Sequence, residues 1–443
     1  MGIALFRGHP VTWRRRLFTA LATGLAVAPA VAACGSENDN VITLYYADQE
    51  YVPGIVAACN KQAGGEYEIV HRVLPREADG QREQMVRRLA AEDTDLDLLG
   101  LDVTWVPEFA EAGWLAEFTG QNKQAASEDV LKTPLETATW NGKLYAATMN
   151  TNVQLLWYDK ELTPKPPTTW EEMLSMSQRL KEEGKPYEIL FTGAQYEGLV
   201  VAFNTLVASA GGHILSEDGK SVAMDKGAMA GLEMLQKVAT SGLVSPSLSA
   251  SQEQQIHEAF AAKDTKAAFQ INWPYVWSVT PTLGNEERTK NLAWAPLPGL
   301  DGHQGTATVG GFDIGVSAYS AKKDRAFKAA LCLRNAEQQK YAAICAGVPP
   351  TLESLYTDES TIAPCKPEES QERPSMADAY PMRETILEEL EGASVRPLTP
   401  VYQNLSTVTS KLLSPPGDIN VDETANELRE QLTEALESQG VLP

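Results

Sequence analysis

Between Val41 and Phe118 the chain alternates short apolar runs with stretches of helical period, and few folds accommodate that order. Residues 41–47 and 68–74 are β-prone, and Leu96, Leu98, Leu99 and Leu101 form a third apolar strand ending at Asp102. Residues 51–62, 81–92 and 107–118 space their apolar side chains as helices do. Strand, helix, strand, helix, strand predicts a mostly parallel sheet covered by helices, an α/β fold. In open sheets of this kind ligands sit beyond the carboxyl ends of the strands. Glu50 and Asp102 lie just past two such ends. The competing reading is helix capping, since acids there also accept bonds from helix N–H groups.

At 443 residues the chain exceeds what one hydrophobic core usually holds, so two cores are expected. A long extended stretch from Leu144 to Tyr158 follows the Asn141-Gly142 hairpin signal, and Met149-Asn150-Thr151-Asn152 is read as a polar interruption in it. Thr169 and Glu172 form a capping box ahead of a helix ending near Gly184. Helices are expected over 198–210, 225–241, 252–263 and 421–439, with a long helical region over 323–347. A strand over 266–272 runs into Trp273-Pro274-Tyr275-Val276-Trp277, either an aromatic core cluster or a rigid platform for the C–H faces of a sugar. Gly310-Gly311 permits close backbone approach before a strand over 312–319.

The first 33 residues read as an export signal: Arg14-Arg15-Arg16, an apolar run, then Val31-Ala32-Ala33-Cys34. The last four resemble a lipobox, which implies acylation of Cys34 and a tether over 34–40, placing the protein on the outer face of the cytoplasmic membrane. Removing the signal takes away four arginines and no acid, moving the net charge from −22 to −26. Such a balance disfavours nucleic acid and anionic membranes as partners, leaving the lipid anchor as the membrane contact. Cys59, Cys332, Cys345 and Cys365 suit two disulfides in an exported chain, with three connectivities open. A Cys345–Cys365 bridge would staple a Pro-rich loop and leave Cys59 to Cys332. No HExxH, GxSxG, Walker loop or dinucleotide fingerprint occurs, so neither metal nor cofactor is expected.

Leu99-Gly100-Leu101-Asp102-Val103-Thr104-Trp105, Asn141-Gly142-Lys143-Leu144-Tyr145, Pro167-Thr168-Thr169-Trp170-Glu171-Glu172, Asn272-Trp273-Pro274-Tyr275-Val276-Trp277 and Gly310-Gly311-Phe312 carry a family likeness. Together they resemble the maltose-binding-protein-like solute-binding lipoproteins of ABC importers, and the last two, with Arg396-Pro397, are similar to trehalose- and maltose-binding members. The resemblance implies a two-lobed periplasmic-binding-protein fold with a ligand cleft between lobes. The lobe crossings place 41–148 and 312–362 in an N-lobe, and 149–311 and 363–443 in a C-lobe. It implies sugar contacts from Glu50, Asp102, Asn152, Trp273, Gly310, Gly311 and Arg396, with Gln81, Asn150, Tyr275 and Phe312 as further candidates. It also implies a monomer that takes a disaccharide, trehalose first, and hands it to permease subunits without chemistry. The rival readings are a secreted glycoside hydrolase using Glu50 and Asp102 as its acid pair, and a lipid-anchored scaffold with no small ligand.

Overall fold

The structure, a computed structural model, describes residues 40–216, 219–363, 365 and 374–437. The expected signal, Cys34 and all of the tether but Asn40 lie outside the described residues, as does most of the stretch 364–373.

Eleven strands occur among the described residues. In chain order they are β1 (Val41–Ala47), β2 (Glu68–Leu74), β3 (Leu98–Asp102), β4 (Thr139–Trp140), β5 (Lys143–Leu144), β6 (Ala146–Val153), β7 (Leu155–Asp159), β8 (Glu188–Leu190), β9 (Ala267–Asn272), β10 (Leu292–Ala295) and β11 (Val309–Val316). One sheet has the order β2-β1-β3-β11-β6, the other β10-β7-β9-β8, and β4-β5 is a separate hairpin. Each large sheet has its own apolar core, one built on Leu44, Leu99 and Phe109, the other on Trp157, Phe203 and Phe269. The fold is two-lobed, as expected.

The sheets are mixed rather than mostly parallel. β1 runs parallel to β2 and β3, but β11 is antiparallel to both β3 and β6. In the second sheet only β8–β9 is parallel. The βαβ pattern of the first hundred residues therefore describes half of one sheet; strands arriving from distant sequence complete it against the parallel direction. The expected helix over 107–118 is only Val106–Glu111, and the long region over 323–347 is two helices, Lys323–Leu333 and Ala336–Ala346. Arg334 closes the first, and Asn335 caps the second through its side chain, which accepts from Gln338 N. The second of these helices gives Ala342 to the first core and Ala343 and Ile344 to the second. Tyr356 also belongs to the second core, on the N-terminal side of the expected boundary at 362.

The stretch from Leu144 to Tyr158 is extended, but its interruption is not the Asn150–Asn152 segment, which lies inside β6. The break is Gln154, one residue between β6 in the first sheet and β7 in the second. A backbone that changes sheets within one residue fixes the spacing of the two cores at this point. The Asn141-Gly142 turn has positive φ at both residues, +49° and +75°, as a two-residue type I′ hairpin requires. Disulfides join Cys59 to Cys332 and Cys345 to Cys365, with Cα–Cα separations of 5.9 and 5.5 Å.

Thr169 caps the helix Trp170–Glu182 by accepting from Glu172 N at 3.1 Å. The return bond goes one residue further than a capping box would take it: Glu172 accepts from Thr168 N at 2.7 Å and Thr168 Oγ1 at 3.0 Å. Thr169→Ala should therefore destabilise the protein by about 1 kcal/mol. Urea unfolding followed by circular dichroism measures it; an unchanged midpoint would show that the Glu172 bonds alone hold the helix start.

Candidate functional site

The carboxyl end of β3 lies beside β11, and β11 lies beside β6. The register sets Asp102 opposite Phe312, and Phe312 opposite Asn150. Two residues along, Gly310 faces Asn152. Opposed residues of an antiparallel pair share a face of the sheet, and so do residues two apart. Asp102, Phe312, Asn150, Gly310 and Asn152 thus form one surface where the first sheet ends.

Trp273 comes to this surface from the other sheet. It follows directly on β9, where Asn272 Oδ1 accepts from Trp273 N at 2.9 Å. Its indole lies so close to Gly310 that a Cβ there would stand 2.9 Å from Trp273 Cη2. Gly311 serves a different purpose: at φ +132° its backbone is one that L residues rarely adopt, and a Cβ would stand 2.5 Å from Asn150 O. One glycine admits the tryptophan, the other lets β11 approach β6.

The second element reaching the surface is the segment before the helix Tyr402–Leu412. Ser394 pairs with Thr308 as an isolated bridge, Val309 N donating to Ser394 O at 2.9 Å, so the segment runs beside the start of β11. Two residues on, Arg396 is 3% exposed. Its Nη2 donates to Asp102 Oδ1 at 3.2 Å and to Val309 O at 3.4 Å; its Nη1 donates to Glu197 Oε1 at 2.6 Å. Nε has no hydrogen-bond partner among the described residues. Glu197 begins the helix Glu197–Ser209 and also accepts from Tyr402 OH at 2.6 Å and from Ser406 Oγ. Thr104 N and Oγ1 hold the same Asp102 oxygen, at 3.0 and 2.8 Å. Asp102 thus holds the turn ahead of the helix Val106–Glu111 without capping it, since Trp105 is the N-cap and no side chain bonds the helix start. A further link joins the lobes: Gln403 Nε2 donates to Asp79 Oδ1 at 3.1 Å.

Burial pushes Glu197 above the usual carboxylate range, against Arg396, Ser406 and Tyr402, which pull it down. Burial also opposes the charge of Arg396, but Asp102, Tyr402 and Glu197 outweigh it and raise the guanidinium further. Glu197 is ionised on geometric grounds: three donors converge on it, one a guanidinium, and it sits in the first turn of a helix. Asp313, the next residue after Phe312, is different. It is 1% exposed, and neither carboxyl oxygen makes a geometrically complete hydrogen bond. Burial, then the charge of Asp102, push it well up, with the Thr137 side chain opposing.

The other expected residues divide. Asn152 Oδ1 and Gln81 Oε1 are buried polar atoms without a hydrogen-bond partner among the described residues. Gln81 uses only its Nε2, toward Arg76 O at 2.9 Å. Asn150 has both ends of its amide engaged, donating to Tyr46 OH at 3.2 Å and Tyr51 OH at 3.0 Å and accepting from Phe312 N at 3.2 Å. Its work is to hold the surface together. Tyr275 OH donates to Glu253 O at 2.9 Å and accepts from Asn272 Nδ2 at 3.2 Å, which steadies the turn carrying Trp273. Phe312 packs on Tyr46 with ring centroids 5.1 Å apart. Glu50 is exposed and stands outside the Asp102–Arg396–Glu197 network.

Glu197, Tyr402 and Ser406 were not expected. Glu197 reads as an ordinary first-turn acid of a helix. Tyr402 and Ser406 are four apart on one helix face, but nothing in the sequence ties that face to a residue two hundred positions earlier. Among the described residues no cluster of His, Cys, Asp and Glu is placed to hold a metal, and no helix is long and apolar enough to cross a membrane.

A curated relative, the probable ABC transporter-binding protein of Deinococcus radiodurans, is 27% identical over 357 residues, 76% of this chain and 82% of that protein. Among solved structures, maltose-bound MalE3 of T. maritima superposes with a TM-score of 0.79 at 26% identity, covering 89% of this chain and 99% of that one. The GacH receptor of Streptomyces glaucescens superposes with a TM-score of 0.76 at 19% identity, covering 90% and 98%, a likeness of fold. Residues 50–340 match the family model described as bacterial extracellular solute-binding protein. This chain belongs to that family, whose members are exported binding proteins rather than enzymes.

Proposed function

We propose that this protein is the substrate-binding lipoprotein of an ABC sugar importer, capturing a neutral disaccharide, trehalose first, and delivering it to permease subunits. Its motifs resemble those of the mycobacterial trehalose-binding lipoprotein LpqY, and the T. maritima relative is bound to maltose. The observation that carries the reading is the convergence of Asp102, Arg396 and Trp273 from both lobes on one surface. A polyol needs carboxylates, amides and a guanidinium for its hydroxyls and an aromatic face for its C–H edges. Contacts from both lobes favour the closed arrangement to the extent that sugar binds it more tightly. Cys34 anchors the monomer to the outer face of the cytoplasmic membrane.

Calorimetry against trehalose, maltose and other disaccharides tests the proposal, with chromatography of the recovered sugar. Losing a hydrogen bond with a charged partner removes about 1.5–3 kcal/mol, so Asp102→Ala should weaken binding roughly ten- to a hundredfold. Trp273→Ala should weaken it by a similar factor through lost stacking. The sugar should be recovered intact. Unchanged affinities would remove the site, and cleaved sugar would establish a glycosidase in its place.

A further inference from the structure

The Arg396 guanidinium is held by one corner. Nη1 points to Glu197 Oε1 at 2.6 Å, and Glu197 is itself fixed by Tyr402 OH at 2.6 Å and by Ser406 Oγ. The opposite edge, made of Nε and Nη2, behaves differently. Nε has no partner among the described residues although the residue is 97% buried, and Nη2 makes only the longer contacts to Asp102 and Val309. That edge is a two-donor fork of the kind that grips a pair of neighbouring oxygens. A bare guanidinium fork in a buried site would prefer a carboxylate or phosphate to a diol. Here its charge is already met by Glu197, and Asp102 adds a second negative charge.

We propose that Glu197 sets the substrate class of this site: by clamping Nη1 and neutralising Arg396, it turns the Nε–Nη2 edge, whose Nη2 is shared with Asp102, into a reader of neutral vicinal hydroxyls that rejects anionic sugars. This rests on the sugar-binding reading above. Glu197 does not touch the sugar; it is a positioning residue that acts through Arg396. One buried cation beside two carboxylates leaves the pocket net negative, in line with the chain's balance of 37 basic against 59 acidic side chains. A phosphorylated or carboxylated sugar would bring a third negative charge into a site already short of positive charge. Tyr402 and Ser406 keep the Glu197 carboxylate turned toward the guanidinium and supply the bonds that let it stay charged when buried.

The test compares two probes, trehalose and trehalose 6-phosphate, on the full-length exported protein by calorimetry. Wild type should bind the neutral sugar and discriminate against the phosphate. Glu197→Gln keeps the shape and one acceptor but uncovers the charge of Arg396. The ratio of phosphate to neutral-sugar affinity should then rise roughly ten- to a hundredfold. Tyr402→Phe removes one bond to Glu197 while Arg396 and Ser406 still hold the carboxylate, so the ratio should rise far less than in Glu197→Gln, and a rise as large would overturn the assignment to the Glu197 charge. If Glu197→Gln does not fold, Glu197→Ser replaces it, removing the same charge with a smaller side chain, and the ratio should rise in the same direction. A wild type that binds neither probe nor any disaccharide sinks the sugar reading itself. A wild type that binds trehalose, with a ratio unmoved by Glu197→Gln or Glu197→Ser, overturns the role of Glu197 and assigns the discrimination to shape. Wild-type binding of the phosphate as tight as of trehalose overturns it too.

Discussion

Arg396→Ala should remove sugar binding and also lower the stability of the protein by about 3–5 kcal/mol at neutral pH. The binding loss follows from the fork. The stability loss follows from what remains: Glu197, its side chain only 12% exposed, is left without the cation that bonds it at 2.6 Å. Breaking one side of a buried pair leaves an uncompensated charge, and that penalty exceeds the net worth of the intact pair. The deficit should depend on pH in a stated direction. In the variant Glu197 is an acid raised first by burial, with the opposing pull of Arg396 gone. An acid raised in the folded state contributes stability while protonated, below its unfolded value, and that contribution is lost as pH rises through the folded value. The variant should thus be further below wild type at about pH 7.5 than at about pH 5. Urea unfolding of both proteins at the two pH values measures it. Adding Glu197→Gln to Arg396→Ala should recover part of the lost stability, since it removes one of the two carboxylates, Glu197 and Asp102, that the single variant leaves without their cation. A deficit equal at both pH values, or a double variant no better than the single, would mean that Glu197 is solvated once Arg396 is gone.

How far the sequence alone reaches depends on the range of each interaction. The two-residue hairpin at Asn141-Gly142, the Thr169 cap and the strand ending at Asp102 depend on neighbours within a few positions, and the structure has all three. Asp102, Arg396 and Trp273 are legible as polar or aromatic residues at strand ends and turns. What they touch is not legible, because their partners are set by topology. β11 is inserted between β3 and β6, so Phe312 meets Asp102 and Asn150 from far along the chain. The same insertion made the parallel reading of the sheet incomplete. Asn150 looked like a free amide only because Tyr46 and Tyr51, which take its donors, lie a hundred residues earlier. Glu197 shows the limit most plainly. A glutamate at a helix start carries no mark of a buried partner 199 positions away.

Gly311→Ala and Gly310→Ala should part company, although the two residues are neighbours on one strand. At Gly311 an added Cβ meets backbone: Asn150 O at 2.5 Å and Thr151 Cα at 2.8 Å, with φ at +132°. Backbone cannot step aside without separating β11 from β6, and an L residue is strained at that φ whatever the space. Strain and overpacking of this kind cost about 3–5 kcal/mol together. Binding should fail as well, because Phe312 N loses its register with Asn150 Oδ1 and the row through Asp102 is displaced. At Gly310 the added Cβ meets the rim of Trp273, 2.9 Å from Cη2 and 3.1 Å from Cζ3. A ring rim moves more easily than a strand, so stability should fall by only about 1 kcal/mol. Affinity should nonetheless drop roughly tenfold or more, because the indole tilts away from the surface it serves. Thermal unfolding and calorimetry on the two variants separate the effects. If Gly310→Ala binds sugar like wild type, the indole is not part of the site. If Gly311→Ala unfolds at the wild-type temperature, the close approach of β11 to β6 is not what fixes the row of site residues.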